Sequence, residues 1–260
     1  MQLRGTTWIW VLTVLLLAFA IRSVAAVTWQ SRLADPATFA LPDSATYWEL
    51  ARTIANGEPY QYGSSESRVF RTPGYPAILS VLFFGRTDPP VVWARLAGAF
   101  LGTLTVAAAM LLARLLFNRR VALLTGWLVT LYPGGIGLSV LVLSEAPFCP
   151  LMMGQLVFWV LAWKSSSFSR QLTWSGLAGF TAGLATLMRP SWLLFTPFGL
   201  LLLLVVQSER RRQLAIAGTM LASLCLTMTP WWIRNYRVTG TAVLTTLQVG
   251  ASLYDGLNPQ

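Results

Sequence analysis

The 260-residue sequence contains no histidine, and only 11% of its residues are charged. The first absence excludes Ser-His-Asp and Cys-His catalysis and any histidine-ligated metal. The second excludes an ordinary soluble globule, in which about 25% of residues are charged. Cysteine is nearly missing as well. Cys149 and Cys225 both lie in apolar runs, which suits packed thiols better than a disulfide or a metal pair. There is no fixed-period repeat and no low-complexity tract. The net charge is +10, but the arginines are scattered between apolar runs. Without a basic stripe and interleaved aromatics, nucleic acid is not an expected partner.

What is present is hydrocarbon: hydrophobic residues make up 55% of the chain, and the mean hydropathy is +0.59. A helix crossing ~30 Å of hydrocarbon needs about 20 apolar residues. Residues 8–29, 91–117, 121–143, 146–163, 174–188, 191–206 and 214–229 meet or approach that length. Residues 77–85 are too short to cross and are expected to lie in the interface or to dip partway in. The first run ends near Ala25-Ala26 like a signal peptide, but its length and Arg22 beside the cleavage region indicate an uncleaved helix. The expected fold is all-α: residues 1–260 form one polytopic transmembrane bundle in a lipid bilayer, with about seven spans and one or two interfacial helices.

Alternating the spans places Arg4, Arg114, Arg119, Arg120, Lys164, Arg170, Arg210, Arg211 and Arg212 on one side with a single acid, Glu209. The other side, with Arg22 counted there, mixes basic residues with all remaining acids. By the positive-inside rule the first side is cytoplasmic and the long loop 30–76 is extracytoplasmic. Asp43, Glu49, Arg71, Glu145, Arg189, Arg234 and Arg237 then share the outer face.

Within that loop, Tyr47, Trp48, Ala51, Ile54 and Ala55 repeat with helical spacing over 43–56, between Pro42 and Gly57. Such a short amphipathic helix is expected to lie flat on the membrane surface. Pro73-Gly74 reads as a turn, with proline presetting φ and glycine supplying φ > 0. Tyr75 begins the interfacial segment.

Chemistry must come from acids, arginines and hydroxyls. Asp43 reads either as a helix N-cap or as a carboxylate that takes a proton or helps hold a cation. Glu145 sits in a hairpin between two hydrophobic runs, either solvated at headgroup level or functional, because an acid so near hydrocarbon is costly. Just upstream, Tyr132-Pro133-Gly134-Gly135 should break its helix and free backbone carbonyls. Arg71 and Arg189 are the best phosphate ligands, since guanidinium matches phosphate oxygens bidentately. Arg189, before Pro190, either snorkels to headgroups or lines a cleft. The stretch Trp231-Trp232-Ile233-Arg234-Asn235-Tyr236 reads mainly as an aromatic belt, with Tyr75 and Arg234 as candidate substrate contacts.

Taken together these motifs resemble the C-type membrane glycosyltransferases, in particular the branch of dolichyl-phosphate-mannose protein mannosyltransferases and bacterial aminoarabinose transferases. The resemblance rests on Asp43 opening an amphipathic helix, Arg71-Thr72-Pro73-Gly74-Tyr75-Pro76, Glu145 at a helix start, and Arg189-Pro190. It continues through Pro230-Trp231-Trp232-Ile233-Arg234-Asn235-Tyr236, Gly250 and Gly256-Leu257-Asn258-Pro259. The family usually pairs two adjacent acids in its first loop, whereas Ser44 follows Asp43 here. Relatives also continue beyond the equivalent of Gln260, so a shortened homologue or a fragment is expected.

The resemblance implies a polyprenyl-phosphate sugar donor and transfer to a lipid, glycan or protein acceptor with inversion. Asp43 would be the base, Arg71 and Arg189 would hold the donor phosphate, and Glu145 would orient the acceptor or help hold a divalent cation. The alternative from another class is a lipid-phosphate or solute transporter, or a non-catalytic membrane homologue. Crowding of the ionisable groups on one face, without a repeat, favours the enzyme.

Overall fold

The computed structural model describes residues 3–35, 38–64, 67–206, 210–248 and 257–258. Gly250, Gly256 and Pro259 of the family-like C-terminal motif lie outside the described residues, as does Glu209. The described residues are helical and contain no strand. Their α-helices are α1 (Leu3–Ser31), α2 (Pro42–Ala55), α3 (Gly74–Ser80), α4 (Val91–Leu116), α5 (Arg119–Leu131), α6 (Pro133–Val140), α7 (Glu145–Lys164), α8 (Phe168–Met188), α9 (Phe195–Val206) and α10 (Arg210–Thr239).

The chain is a polytopic membrane bundle with fewer straight spans than its apolar runs suggest. Four helices of the described residues, α1, α4, α7 and α10, are long and apolar enough to cross. Helices α5 and α6, bent by 58° at their break, reach that length only as a pair, a broken span or a re-entrant loop. Residues 191–206 do not form one crossing helix. A 3-10 turn at Pro190–Trp192 precedes α9, whose 12 residues reach only about 18 Å. Helix α8 is 21 residues long, but its first turns are polar.

Small residues let the long helices approach. A Cβ on Gly183 of α8 would lie 2.6 Å from Thr227 Cβ of α10, so only glycine allows that contact, a device typical of membrane bundles.

The break between α5 and α6 has a specific chemistry. Pro133 lacks an N–H, so the Val129 carbonyl loses its helical donor. Arg22, 1% exposed in the middle of α1, supplies the replacement. Its Nη2 donates to Val129 O at 3.1 Å and its Nη1 to Thr130 O at 3.4 Å. Arg22 is therefore a buried span residue and does not belong to the outer loops. Arg95 of α4, also 1% exposed, donates from Nη1 to Val140 O, the last carbonyl of α6, at 2.6 Å, and from Nε to Gln30 at 2.8 Å. Each half of the bent pair thus ends on a buried guanidinium, the sign of charge that a helix C-terminus favours.

The connection from α6 to α7 is correspondingly fixed. Val142 adopts φ 53°, a conformation that costs a β-branched residue about 1–3 kcal/mol. It is held by Arg95 on one side and by Ser44 Oγ, which donates to Leu141 O at 2.7 Å, on the other.

Two expectations for the outer segment are corrected. Helix α2 does not rest its stripe on the membrane surface: Tyr47 and Ala51 are buried against Tyr75, Leu79 and Phe83, and against Val91 and Ala94 of α4. Its end is as expected. Gly57 has φ 69°, and the amides of Gly57 and Glu58 donate to Ile54 O and Thr53 O, closing a Schellman motif. Gly74 is not a left-handed turn residue. Pro73 caps α3 and Gly74 opens it. Glycine is needed there because a Cβ would lie 2.6 Å from Leu187 O of α8.

Candidate active site

The helix ends on one face of the bundle enclose a cavity of about 740 Å³, whose wall includes Asp43, Arg71, Glu145 and Arg189. These four come from the start of α2, the loop before α3, the start of α7 and the end of α8.

Asp43 is not the N-cap of α2. Leu41 takes that position and Pro42 the next, without a side-chain cap. Asp43 therefore lies in the first turn, where the helix dipole favours an anion, and its carboxylate, 52% exposed, accepts a hydrogen bond from Arg71 Nη2. The Arg71 guanidinium lies 5.3 Å from the Tyr47 ring centroid and 5.2 Å from that of Phe70. Tyr60 Oη fixes the backbone here by donating to Thr72 O at 3.1 Å. Burial raises the phenol pKa of both Tyr47 and Tyr60, so both remain donors at neutral pH.

Glu145 is the first residue of α7 and pairs with Arg189 Nη1. Arg189 ends α8 in an extended conformation, φ −137° and ψ 112°, because Pro190 disfavours a helical residue before it. That turn sends the side chain into the cavity beside Glu145, where its guanidinium lies 5.9 Å from the Phe148 ring.

Two site residues escaped the sequence reading. Tyr47 stands between the ion pairs: its ring supports Arg71, and its hydroxyl donates to Ser144 Oγ at 3.2 Å. Ser144 in turn donates to Glu145 Oε2 at 3.4 Å. The Tyr47 signal was visible only as one member of a helical stripe. Tyr75 and Arg234 do not line the cavity. Tyr75 is 2% exposed and packs edge-on to Tyr47 at 5.2 Å. Arg234 donates to Tyr60 O at 2.9 Å and stacks on Trp231 and Tyr60. Both buttress the wall from behind.

More of the wall comes from Pro190, Ser191, Leu193 and Leu194 after α8 and from residues 244–246 and Gln248. The supposed aromatic belt holds the second strip in place. Trp231 Nε1 donates to Thr245 O and Trp232 Nε1 to Leu244 O, both at 2.8 Å, and Asn235 Nδ2 donates to Val243 O at 3.0 Å. Leu247 N donates to Val69 O, tying this strip to the Arg71 loop.

An apolar groove of about 670 Å³ adjoins the cavity, lined by Pro73, Gly74 and Ile78 of the α3 region and Leu187 of α8. The charged cavity and the apolar groove have Met188 as a common wall residue. Among the described residues no three Asp, Glu or Cys side chains gather as a metal site. The two carboxylates in the cavity each face an arginine.

Residues 73–233 match the family model described as dolichyl-phosphate-mannose-protein mannosyltransferase. No curated protein matches the sequence. Among solved structures, the chain is similar to the apo oligosaccharyltransferase of Archaeoglobus fulgidus (TM-score 0.71, 20% identity, covering 86% of this chain and 29% of that one). It is equally similar to apo ArnT from Cupriavidus metallidurans (TM-score 0.71, 19% identity, 91% and 43% covered). ArnT bound to undecaprenyl phosphate gives a TM-score of 0.70 at 20% identity, with 89% and 42% covered. The archaeal enzyme also has a structure in complex with Zn and sulfate (TM-score 0.64, 21% identity, 93% and 35% covered). At these identities the likeness is one of fold, and the chain spans less than half the length of either protein.

Proposed function

The chain belongs to the dolichyl-phosphate-mannose-protein mannosyltransferase family, and on that premise we propose that its cavity transfers a sugar from a polyprenyl-phosphate donor to an acceptor hydroxyl or amine. The observation that carries this reading is the meeting of two carboxylate–guanidinium pairs beside an apolar groove. The groove receives the polyprenyl tail, as hydrophobic burial favours, and leaves the sugar phosphate at Arg71 and Arg189. The undecaprenyl phosphate in the ArnT structure is the same class of ligand. The arginines and lysine of the short connections at the opposite end, 118–120, 164–171 and 207–213, support an extracytoplasmic cavity.

The chemistry is a single displacement with inversion. The acceptor atom bonds to the anomeric carbon as the bond from that carbon to the phosphate oxygen breaks. Asp43 takes the acceptor proton, and polyprenyl phosphate leaves with one more negative charge than it carried in the donor. Protonation of Asp43 weakens its hold on Arg71 while the departing phosphate gains charge, so the guanidinium shifts its bonds toward the leaving group. That timing stabilises the transition state more than the ground state. Glu145, oriented through Ser144 and Tyr47, positions the acceptor. A divalent ion fits the same carboxylates only with phosphate and water completing its ligands, and none of these steps requires it.

Transfer of radiolabelled sugar from polyprenyl-phosphate donors, with and without chelator, tests the assignment. Asp43→Asn is expected to lower turnover by about 10²–10⁴-fold with donor affinity largely retained. Near-normal transfer by that variant would remove Asp43 as the base. Donor binding without any transfer by the unaltered chain would leave a lipid-phosphate-binding protein.

A further inference from the structure

At the opposite end of the bundle, α1, α4 and α5 enclose a second groove of about 490 Å³. Its walls are apolar, with Val11 and Leu15 from α1, Met110 from α4 and Leu123 from α5. Along α4 it extends from Arg114 to Ala107, seven residues or about 10 Å. That is most of the ~15 Å of hydrocarbon in one leaflet. Its mouth carries two guanidiniums, Arg114 in the last turn of α4 and Arg119 at the first position of α5.

Two of the other basic residues on that face are already engaged with backbone carbonyls. Lys164 donates to Leu115 O, and Arg212 donates to Trp163 O and Ser165 O. Neither Arg114 nor Arg119 forms an ion pair among the described residues, and the connections at this end contain one acid in the whole sequence, Glu209. Arg119 is also placed against the positive end of its own helix dipole. Asn118 Oδ1 already accepts from the Arg120 and Val121 amides, so the backbone there is satisfied while the guanidinium charge is not. An anion at the mouth and an alkyl chain in the groove would satisfy both parts of the site together.

We propose that this groove binds an anionic phospholipid from the leaflet opposite the cavity. Its phosphate sits between Arg114 and Arg119, and one acyl chain lies along Leu15 and Met110. The lipid adds to the apolar cluster that already joins these helices, Val14 and Ala18 of α1 with Val106 and Met110 of α4 and Leu123 and Trp127 of α5, on the face opposite the sugar-donor cavity.

Titration of the full chain in uncharged detergent, read by thermal unfolding and by lipid retained in native mass spectrometry, tests the site. Phosphatidylglycerol is expected to bind roughly 25-fold tighter than phosphatidylcholine of the same chains, about fivefold per arginine. Arg114→Gln/Arg119→Gln should abolish that preference, whereas Arg170→Gln/Arg210→Gln, which removes equal charge on the same face, should keep it. Ala107→Leu, which fills the groove but leaves the charges, should weaken phosphatidylglycerol binding without altering the response to inorganic phosphate. Equal binding of the two lipids, or equal loss in both double variants, would overturn the proposal. So would full competition by inorganic phosphate, which would make this a free-anion site. Unchanged phosphatidylglycerol affinity in Ala107→Leu would also count against the groove.

Discussion

Arg71 and Arg189 stand in an open cavity against carboxylates, whereas Arg22 and Arg95 lie sealed between helices and donate to backbone carbonyls. Among the described residues neither buried arginine meets an acid. The two arrangements use the same side chain for opposite ends. A guanidinium facing a carboxylate can exchange it for a phosphate oxygen, an acceptor of the same charge and similar geometry. A guanidinium facing carbonyls cannot leave without orphaning them in the buried interior, where both arginines are 1% exposed. The outer arginines are therefore available to a ligand, and the inner ones are part of the backbone's hydrogen bonding.

The sharpest way to break this comparison is to remove the deepest clip. Arg22→Leu would strip the donor from the carbonyls of Val129 and Thr130. At about 1–3 kcal/mol for each unsatisfied group, the loss of stability is expected to be about 2–6 kcal/mol, read as thermal unfolding in detergent. Pro133→Ala restores an N–H for Val129, so Arg22→Leu should cost less in that background, a coupling that a double-mutant cycle measures. If Arg22→Leu left the protein as stable as before, or if the cycle showed no coupling, the bend would not depend on this arginine.

That clip also marks what could be read in the sequence. The break at Pro133 was legible, because a missing N–H is a local property of the chain. The partner that repairs it was not, since Arg22 lies 107 residues from Val129 and resembled a loop charge. The same division holds at the site. Asp43 was legible as a carboxylate at a helix start, Arg71 as a guanidinium in a Pro-Gly turn, Glu145 as a costly acid between apolar runs and Arg189 as a charge between two of them, and Pro190 explains locally why Arg189 leaves its helix. Their pairing was not legible, nor was the bridge from Tyr47 to Ser144 across 97 residues, because both depend on how α2 packs. Segment 191–206 had the composition of a span, yet the prolines at its start limit the helix to α9. In Gly74 the motif was read correctly as special, but for a turn and not for the close approach of α8.

A smaller effect separates the outer arginines from the inner ones by assay. Arg71→Gln and Arg189→Gln each remove charge-assisted hydrogen bonds worth about 1.5–3 kcal/mol to a bound phosphate. Each is therefore expected to weaken polyprenyl-phosphate binding by about 10–150-fold. Stability should change by about 1 kcal/mol or less, the usual range for a partly exposed pair. Titration calorimetry and thermal unfolding on the same preparations give both numbers. A variant that unfolds readily while its folded fraction still binds the lipid would move that arginine into the structural class with Arg22.

The smallest expected effect lies at the rim, where donor–carbonyl bonding recurs without deep burial. Trp232→Phe keeps the ring and removes the N–H that meets Leu244 O, while Trp231→Phe does the same for Thr245 O. Each lost bond contributes about 0.5–1.5 kcal/mol, equivalent to about a two- to tenfold increase in opening of the wall. Leu244 is 55% exposed and Trp231 only 6%, so water can replace the first bond more readily, and Trp231→Phe should have the larger effect. Hydrogen exchange at the Leu247 amide, which donates to Val69 O, reports the opening directly. Unchanged exchange in both variants would mean that the strip is held by its own side chains. If exchange rises only in Trp231→Phe, the contrast drawn for the four arginines extends to the wall: a donor to a carbonyl becomes structural in proportion to how completely water is kept from replacing it.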